Sequence, residues 1–584
     1  MPTLPPGLLL HPATATRGRS VYASQAFGAG STIAVVTDSG PSTSPSSSTS
    51  TSASSPFPSP SIALPSNPHL SNTCSHCLRV TAALLASLNP RPSNPGGGGP
   101  VPGSRGGVPA VRACTGCRVS HYCSVACQKR DWRLVHGNGE CAAFKAASAP
   151  AAAQILPSPV RALVQVLLRP DMREAVAEME GHADKTRVAP GTLAGEMMLQ
   201  VTAALHCIGR EQSQKNIDEG IDITRKLQVN SFNREEADFG QSGVYINAAL
   251  AMINHSCMPN AYISFSGRKA ILHANQDIKE GEEITISYTN NPYRTGRRYH
   301  LSTHYYFKCE CPKCKDNLDV YQVCQMYPNL ELNSSDPFSL VRDVDKLRNP
   351  PVQKFINSDR TLERYIEKIY PLCMAGLDAS SKRTMHQQLR DRWKMCLQLR
   401  DPGLYAAEPL YKVLSDVSVE LIIQGKLAYG FAIVCFLALN SEPYISPAPF
   451  SKLRVKGVLM MVKILTFGSL SESTKKSSGV LAARLRQITT KIDQPTMCHI
   501  LLMGIIHHSP AAHSDKWQPI YEAEDSIEDL KCLAGRETEN ALVDAFAKNP
   551  NGPEERHFFN SVVLEPIQTM AGFALEVLCT EFDE

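Results

Sequence analysis

The chain has 584 residues, 43% of them apolar and 20% charged, an ordinary globular composition spread over too much chain for one core. A formal charge of +4 excludes bulk electrostatics as the mark of a nucleic-acid binder. No apolar run approaches the roughly 20 residues that span a bilayer, so no membrane partner is expected; the best candidate, Gly430 to Leu439, reads as a buried helix, and Met1 to Leu10 lacks the basic start of a signal peptide.

In chain order, the first motif is Arg17-Gly18-Arg19-Ser20. Ser39 to Pro60, almost pure Ser, Thr and Pro, and the Pro- and Gly-rich Asn89 to Pro109 have too little apolar surface to offset the entropy of ordering, and both read as disordered insertions. From Pro157 to about Leu227 the pattern is helical: Val160, Leu163, Val164, Leu167 and Leu168 share one face, and Met197, Leu199, Val201, Ala204 and Leu205 form a second apolar set. Between Ala261 and Tyr288 the period becomes two. Tyr262 to Phe265 and Ala270 to His273 flank Ser266-Gly267-Arg268-Lys269 as a hairpin, and Glu283 to Tyr288 reads as a further strand. After Cys314 only helices are expected, over Leu362 to Met374, Lys382 to Leu399, Tyr411 to Ile423, Leu427 to Leu439, Leu453 to Thr466 and Val480 to Ile492. Ile422, Phe431, Val434, Phe436 and Leu439 are the expected core of this helical array.

Nineteen cysteines carry the chemistry. Seven lie between Cys74 and Cys141 and run Cys74-x2-Cys77, a 36-residue gap, Cys114-x2-Cys117-x5-Cys123-x3-Cys127-x8-His136-x4-Cys141. Chelating pairs in a chain without an export signal favour metal over disulfides. Eight soft or borderline ligands suffice for two tetrahedral zinc sites. A second cluster, Cys309-x-Cys311-x2-Cys314, is one ligand short, and Cys257 in Asn254-His255-Ser256-Cys257 is the expected fourth donor. Three zinc ions would then be held.

The first run resembles a MYND zinc finger, with Tyr122 before Cys123 and Gln128 and Trp132 after Cys127. Asn254-His255-Ser256-Cys257, Gly281-Glu282-Glu283-Ile284-Thr285-Ile286-Ser287-Tyr288 and the Cys-x-Cys-x2-Cys tail resemble a SET domain with its post-SET zinc. Together they are similar to the SET-and-MYND (SMYD-like) protein lysine methyltransferases, over Arg17 to Lys315 and more weakly beyond. The resemblance implies an α+β chain, a β-rich SET fold interrupted by the finger and a helical insert and followed by an all-α, TPR-like C-terminal domain. The corresponding boundaries are 1–73 for the first SET segment, 74–141 for MYND, 142–229 for the helical insert, 230–300 for the SET core, 301–316 for the post-SET motif and 317–584 for the helical domain. MYND ligands interleave, so Cys74, Cys77, Cys123 and Cys127 would hold one zinc and Cys114, Cys117, His136 and Cys141 the other.

By the same resemblance the chain uses S-adenosylmethionine to methylate lysine in a histone or non-histone protein, and is a monomer of the cytoplasm and nucleus. Tyr288 would orient sulfonium and amine, Tyr305 would line the lysine channel beside the cofactor, and Phe307 would stack on adenine. Asn230, Asn254 and His255 would contact the cofactor, as would Arg17, Gly18 and Arg19, where Ser20 replaces a glycine of the family's loop. An alternative is an inactive SET scaffold whose MYND finger docks a proline-rich peptide. Lys129, Arg130 and Arg133 would be the residues to meet DNA, although charges around a finger are usually a solvated face.

Overall fold

The computed structural model describes residues 2–13, 18–38, 56–81, 83–84, 108, 110–147, 155–186, 192–236, 240–377, 383–475 and 478–583. Most of the two stretches read as disordered, and Arg17, lie outside the described residues. The chain divides into two units, one of residues 1–288 and 300–308 and another of 289–299 and 309–584.

The first unit carries the strands. They are β1 (Leu8–His11), β2 (Ser20–Ala23), β3 (Thr32–Thr37), β4 (Pro56–Pro58), β5 (Ser61–Pro65), β6 (Arg112–Ala113), β7 (His121–Tyr122), β8 (Ser231–Glu236), β9 (Gly240–Asn247), β10 (Asn254–His255), β11 (Ala261–Ser266), β12 (Lys269–Ala274) and β13 (Thr285–Ile286). The alternating segments expected as a hairpin are β11 and β12, paired from Ala261↔Ala274 to Ser266↔Lys269. The turn is therefore the two residues Gly267-Arg268, not four, and Gly267 supplies the positive φ of +56° that such a turn needs. The sheet continues through β3 to β4, which lies parallel to β3 at the edge. That corrects the reading of Ser39 to Pro60 as loop throughout: Pro56 to Pro58 is a strand, and prolines are tolerated there because an edge strand has one row of N–H groups unpaired.

A second sheet has the order β5-β9-β8, all antiparallel. A Cβ on Gly243 would meet the Leu64 carbonyl oxygen at 2.0 Å, so glycine lets β5 and β9 close. Period-two alternation makes this sheet a divider. Ala63 and Tyr245 join a core with Val21, Ile33, Leu272 and Ile284, whereas Ile62, Leu64 and Ile246 join the helical insert. The insert consists chiefly of helices Ser158–Leu168, Thr192–Cys207 and Gln214–Asn230. Val160, Leu163, Val164 and Leu167 are its buried stripe, but Leu199, expected with the apolar set, is 71% exposed. The expected strand Glu283 to Tyr288 shrinks to β13, parallel to β10, since the preceding residues turn to a different partner: Glu283 bridges Tyr22 and Ile284 N–H bonds the Val21 carbonyl.

The second unit is almost wholly helical. Observed helices Arg360–Met374, Leu410–Ile423, Leu427–Asn440, Lys452–Phe467 and Val480–Thr489 match expected ones within three residues at each end, and Met385–Met395 with Leu397–Arg400 replaces a single expected helix. Phe431, Val434, Phe436 and Leu439 are buried as expected, while Ile422 is only half-buried. Leu427–Ile445 and Pro553–Asp583 are helical stretches long and apolar enough to cross a bilayer by length and composition, longer than the run read from sequence; the most apolar 18 residues are 89% buried in the first and 39% buried in the second.

Candidate functional site

Both C-x2-C pairs near the N-terminus fold into the same knuckle. Leu78 and Arg118, each the residue after a pair, take φ of +59°, and their N–H groups bond the carbonyls of Cys74 and Cys114. That left-handed turn is unusual for residues with a side chain and aims both sulfurs of a pair at one point. Cys123 follows β7 directly. Ser124 caps the helix Val125–Leu134 by accepting from the Cys127 N–H, which brings Cys127 back beside Cys123 at 3.6 Å. Cys77 reaches Cys123 at 3.7 Å, and the donor atoms of Cys74, Cys77, Cys123 and Cys127 all lie within 4.8 Å of one another.

Cys114, Cys117, His136 and Cys141 form a second such set, so the expected interleaving is observed. His136 is fully buried, with Nε2 3.4 Å from Cys114 Sγ and 3.7 Å from Cys117 Sγ. Its Nδ1 lies 2.8 Å from Glu140 Oε2, and Glu140 Oε1 accepts from Gln165 Nε2 at 2.6 Å. A carboxylate behind a histidine fixes its tautomer and leaves the other nitrogen for metal. A set of four thiols, and a set of three thiols with one imidazole, both fit zinc. Glu140 was not selected from sequence; its position four residues after His136 was the signal. In the second unit Cys309, Cys311 and Cys314 bring three thiols together, with Arg298 Nη2 donating to the Cys314 carbonyl at 2.7 Å. Cys257 stands in the first unit, its sulfur 3.1 Å from His255 Nε2.

The parallel pair β10–β13 assembles an aromatic site in the first unit. Tyr288 Oη donates to the Ile253 carbonyl at 2.6 Å, and the Tyr288 ring lies 4.7 Å from Tyr305, 5.2 Å from His255 and 6.5 Å from Phe307. Burial, with the neighbouring Tyr305 and Glu283, holds the Tyr288 hydroxyl above its ordinary pKa, so it stays protonated. His255 Nδ1 accepts the Tyr288 N–H at 2.9 Å, which assigns the ring proton to Nε2, facing Cys257.

The remaining candidates are joined to this site through backbone. Asn254 Nδ2 reaches the Arg19 carbonyl at 3.0 Å, Ser20 Oγ at 3.1 Å and Glu283 Oε1 at 2.9 Å. Arg19 Nη2 donates to the Glu178 carbonyl, and Asn230 Nδ2 donates to the carbonyls of Glu180 and Lys226. Arg19 and Asn230 therefore meet one segment, 178–180, and Asn254 is joined to it through Arg19. Ser20 pairs with His11 in β2 with extended backbone, so serine carries no positive-φ cost in place of glycine. A Cβ on Gly18 would meet no atom within 4 Å, leaving open space beside that backbone. Glu283 and the Ile253 carbonyl, which position the asparagine and the tyrosine, were not selected from sequence; a main-chain acceptor leaves no signature there.

The interrupted strand architecture, with a cysteine finger between its two parts and a half-buried tyrosine after β13, is the arrangement expected of a SET domain. The SET domain family model matches residues 18–289. The "SET domain and MYND-type zinc finger protein 6" of Schizosaccharomyces pombe is 31% identical over 209 residues, covering 35% of this chain and 41% of that protein. "N-lysine methyltransferase SMYD2" of Homo sapiens is 23% identical over 397 residues, 66% of this chain and 84% of that protein. "Histone-lysine N-methyltransferase SMYD3" of Mus musculus is 28% identical over 220 residues, 36% and 50% of the two chains. The protein is thus a SET-domain protein related to the SET-and-MYND family.

Proposed function

We propose that the chain transfers a methyl group from S-adenosylmethionine to lysine side chains of protein substrates. The observation that carries this reading is the half-buried Tyr288, its hydroxyl tied to the Ile253 carbonyl within a ring of Tyr305, His255 and Phe307. When bound, S-adenosylmethionine supplies a methyl group on a sulfonium; the amine lone pair forms the new C–N bond, the C–S pair stays on sulfur, and the proton goes to solvent. Most of the catalysis is then alignment and exclusion of water. Tyr288 presents a neutral hydroxyl of fixed direction, and the π faces of Tyr305 and Phe307 favour a cationic centre beside them. Asn254, Arg19 and Asn230 hold the cofactor-facing backbone, with Gly18 leaving room for it.

Cys257 is the fourth ligand we assign to Cys309, Cys311 and Cys314, giving three zinc ions per chain. Relatives named as lysine methyltransferases support the reaction class, and we assign the chain to cytoplasm and nucleus as a monomer. A second reading is favoured by one surface. Val125, 66% exposed, and Trp132, 48% exposed, lie two turns apart on the MYND helix beside exposed Lys129, suiting a proline-rich peptide.

Incubation of the zinc-loaded chain with methyl-labelled S-adenosylmethionine and a protein mixture should place label on lysine. Label appearing on arginine or carboxylates instead, or bound cofactor with no transfer, would refute the assignment.

A further inference from the structure

Arg294 and Arg298 lie four residues apart on the helix Arg294–His304, as do Arg360 and Arg364 on the helix Arg360–Met374. With Glu363 and Glu367 they line a cleft of about 320 Å3 in the second unit. Like charges at that spacing oppose a helix, so each pair calls for counter-charge. Among the described residues none of the four guanidiniums is in an ion pair. The nearby acids form no ion pair with these arginines: Glu367 accepts from Thr295 Oγ1 in the cleft itself, Glu363 Oε1 accepts from Asn317 Nδ2 at 3.3 Å, and Asp359 pairs with Lys354 at 3.0 Å. Arg298 spends one N–H on the Cys314 carbonyl, and its Nε is buried with no acceptor. A buried donor without a partner is costly, and such atoms point to a missing acceptor.

We propose that this cleft binds a phosphate group. Four guanidiniums against two carboxylates leave a local excess of two positive charges, which a phosphate dianion neutralises. Its three outer oxygens suit the planar fork of arginine, whereas lysine would offer only a point charge. A cleft of this size lies in the range of ligand sites. The phosphate can be a free small-molecule phosphate or a phosphorylated side chain, since the recognised chemistry is the same. The proposal stands apart from the methyl-transfer reading and does not depend on it.

The test is calorimetric titration of the full, zinc-loaded chain at constant ionic strength with inorganic phosphate and with a phosphoserine peptide, each against chloride and the unphosphorylated peptide. Phosphate should bind. Arg294→Gln and Arg364→Gln should each weaken it about tenfold, the value of one charge-assisted hydrogen bond, and Glu363→Gln, which removes an opposing charge, should tighten it. Tighter binding of the phosphopeptide than of inorganic phosphate assigns a phosphorylated side chain as the source; equal binding assigns free phosphate. Melting temperature and zinc content of each variant show that it is folded. Should the arginine variants unfold, Glu363→Gln still decides by the direction of its effect. Phosphate heats no larger than those of chloride, or arginine variants that bind as the wild type does, would overturn the proposal.

Discussion

His255 connects two parts of the site through its two ring nitrogens. Nδ1 accepts the Tyr288 N–H at 2.9 Å, and Nε2 faces Cys257 Sγ at 3.1 Å. Removing the ring frees the backbone that carries Tyr288 and leaves one half-buried N–H without its acceptor, each costing about 1 kcal/mol. His255→Ala should therefore lower turnover by roughly tenfold or more, while the two MYND zinc sites stay filled on metal analysis. His255→Asn, whose carboxamide oxygen can replace Nδ1, should recover part of the loss. Wild-type turnover in His255→Ala would exclude the positioning role. At this scale the sequence was informative wherever chemistry dictates spacing. Cys-x2-Cys and His136 stand out because chelation allows few arrangements. Glu140 and Glu283 do not, because acids near a helix or strand end are usually solvated, and only the fold shows Glu140 buried behind His136.

Helices with one apolar face were legible from periodicity, and those buried on every side were not. Leu427–Asn440 was visible because it is a long apolar run; Gln494–Ala512, with buried residues all round and histidines among them, has no period to read. Its neighbour, the helix Lys452–Phe467, carries Arg454 and lies against Glu442, whose carboxylate would meet a Cβ on Gly457 at 2.3 Å. Burial pushes the Glu442 carboxyl up to about 8, with Arg454 drawing it back. Between the ordinary carboxylate range and about 8 the folded chain keeps a proton that the unfolded chain has lost. Stability therefore falls as pH rises through that window, by up to about 1.4 kcal/mol per pH unit, and the loss is complete above it. Glu442→Gln should remove this term. Its melting temperature should gain on that of the wild type from about pH 5 to about pH 8; a constant difference across that range would show that Glu442 does not titrate there. The small strand β4 was missed for the opposite reason, since Pro-Phe-Pro after a Ser-rich stretch has no alternation, and only its pairing with Val35 to Thr37 makes it a strand.

For the whole molecule, an α+β chain with an interrupted SET region and a helical remainder was legible, because period-two and period-three-to-four segments are segregated along the sequence. The convergence of Arg19, Asn230, Asn254 and Tyr288 was legible only by resemblance. They are separated by up to 269 positions, and their contacts run through the carbonyls of Arg19, Glu178, Glu180 and Ile253. We propose that this convergence is a methyl-transfer site in which the Tyr288 hydroxyl orients the reacting groups. The most direct measurement compares wild type with Tyr288→Phe in single-turnover transfer of labelled methyl to lysine, with S-adenosylmethionine affinity measured on the same preparations. The account predicts cofactor affinity within about twofold and a rate lowered by roughly two orders of magnitude, the loss typical of one positioned transition-state hydrogen bond. Equal rates in the two proteins would contradict it.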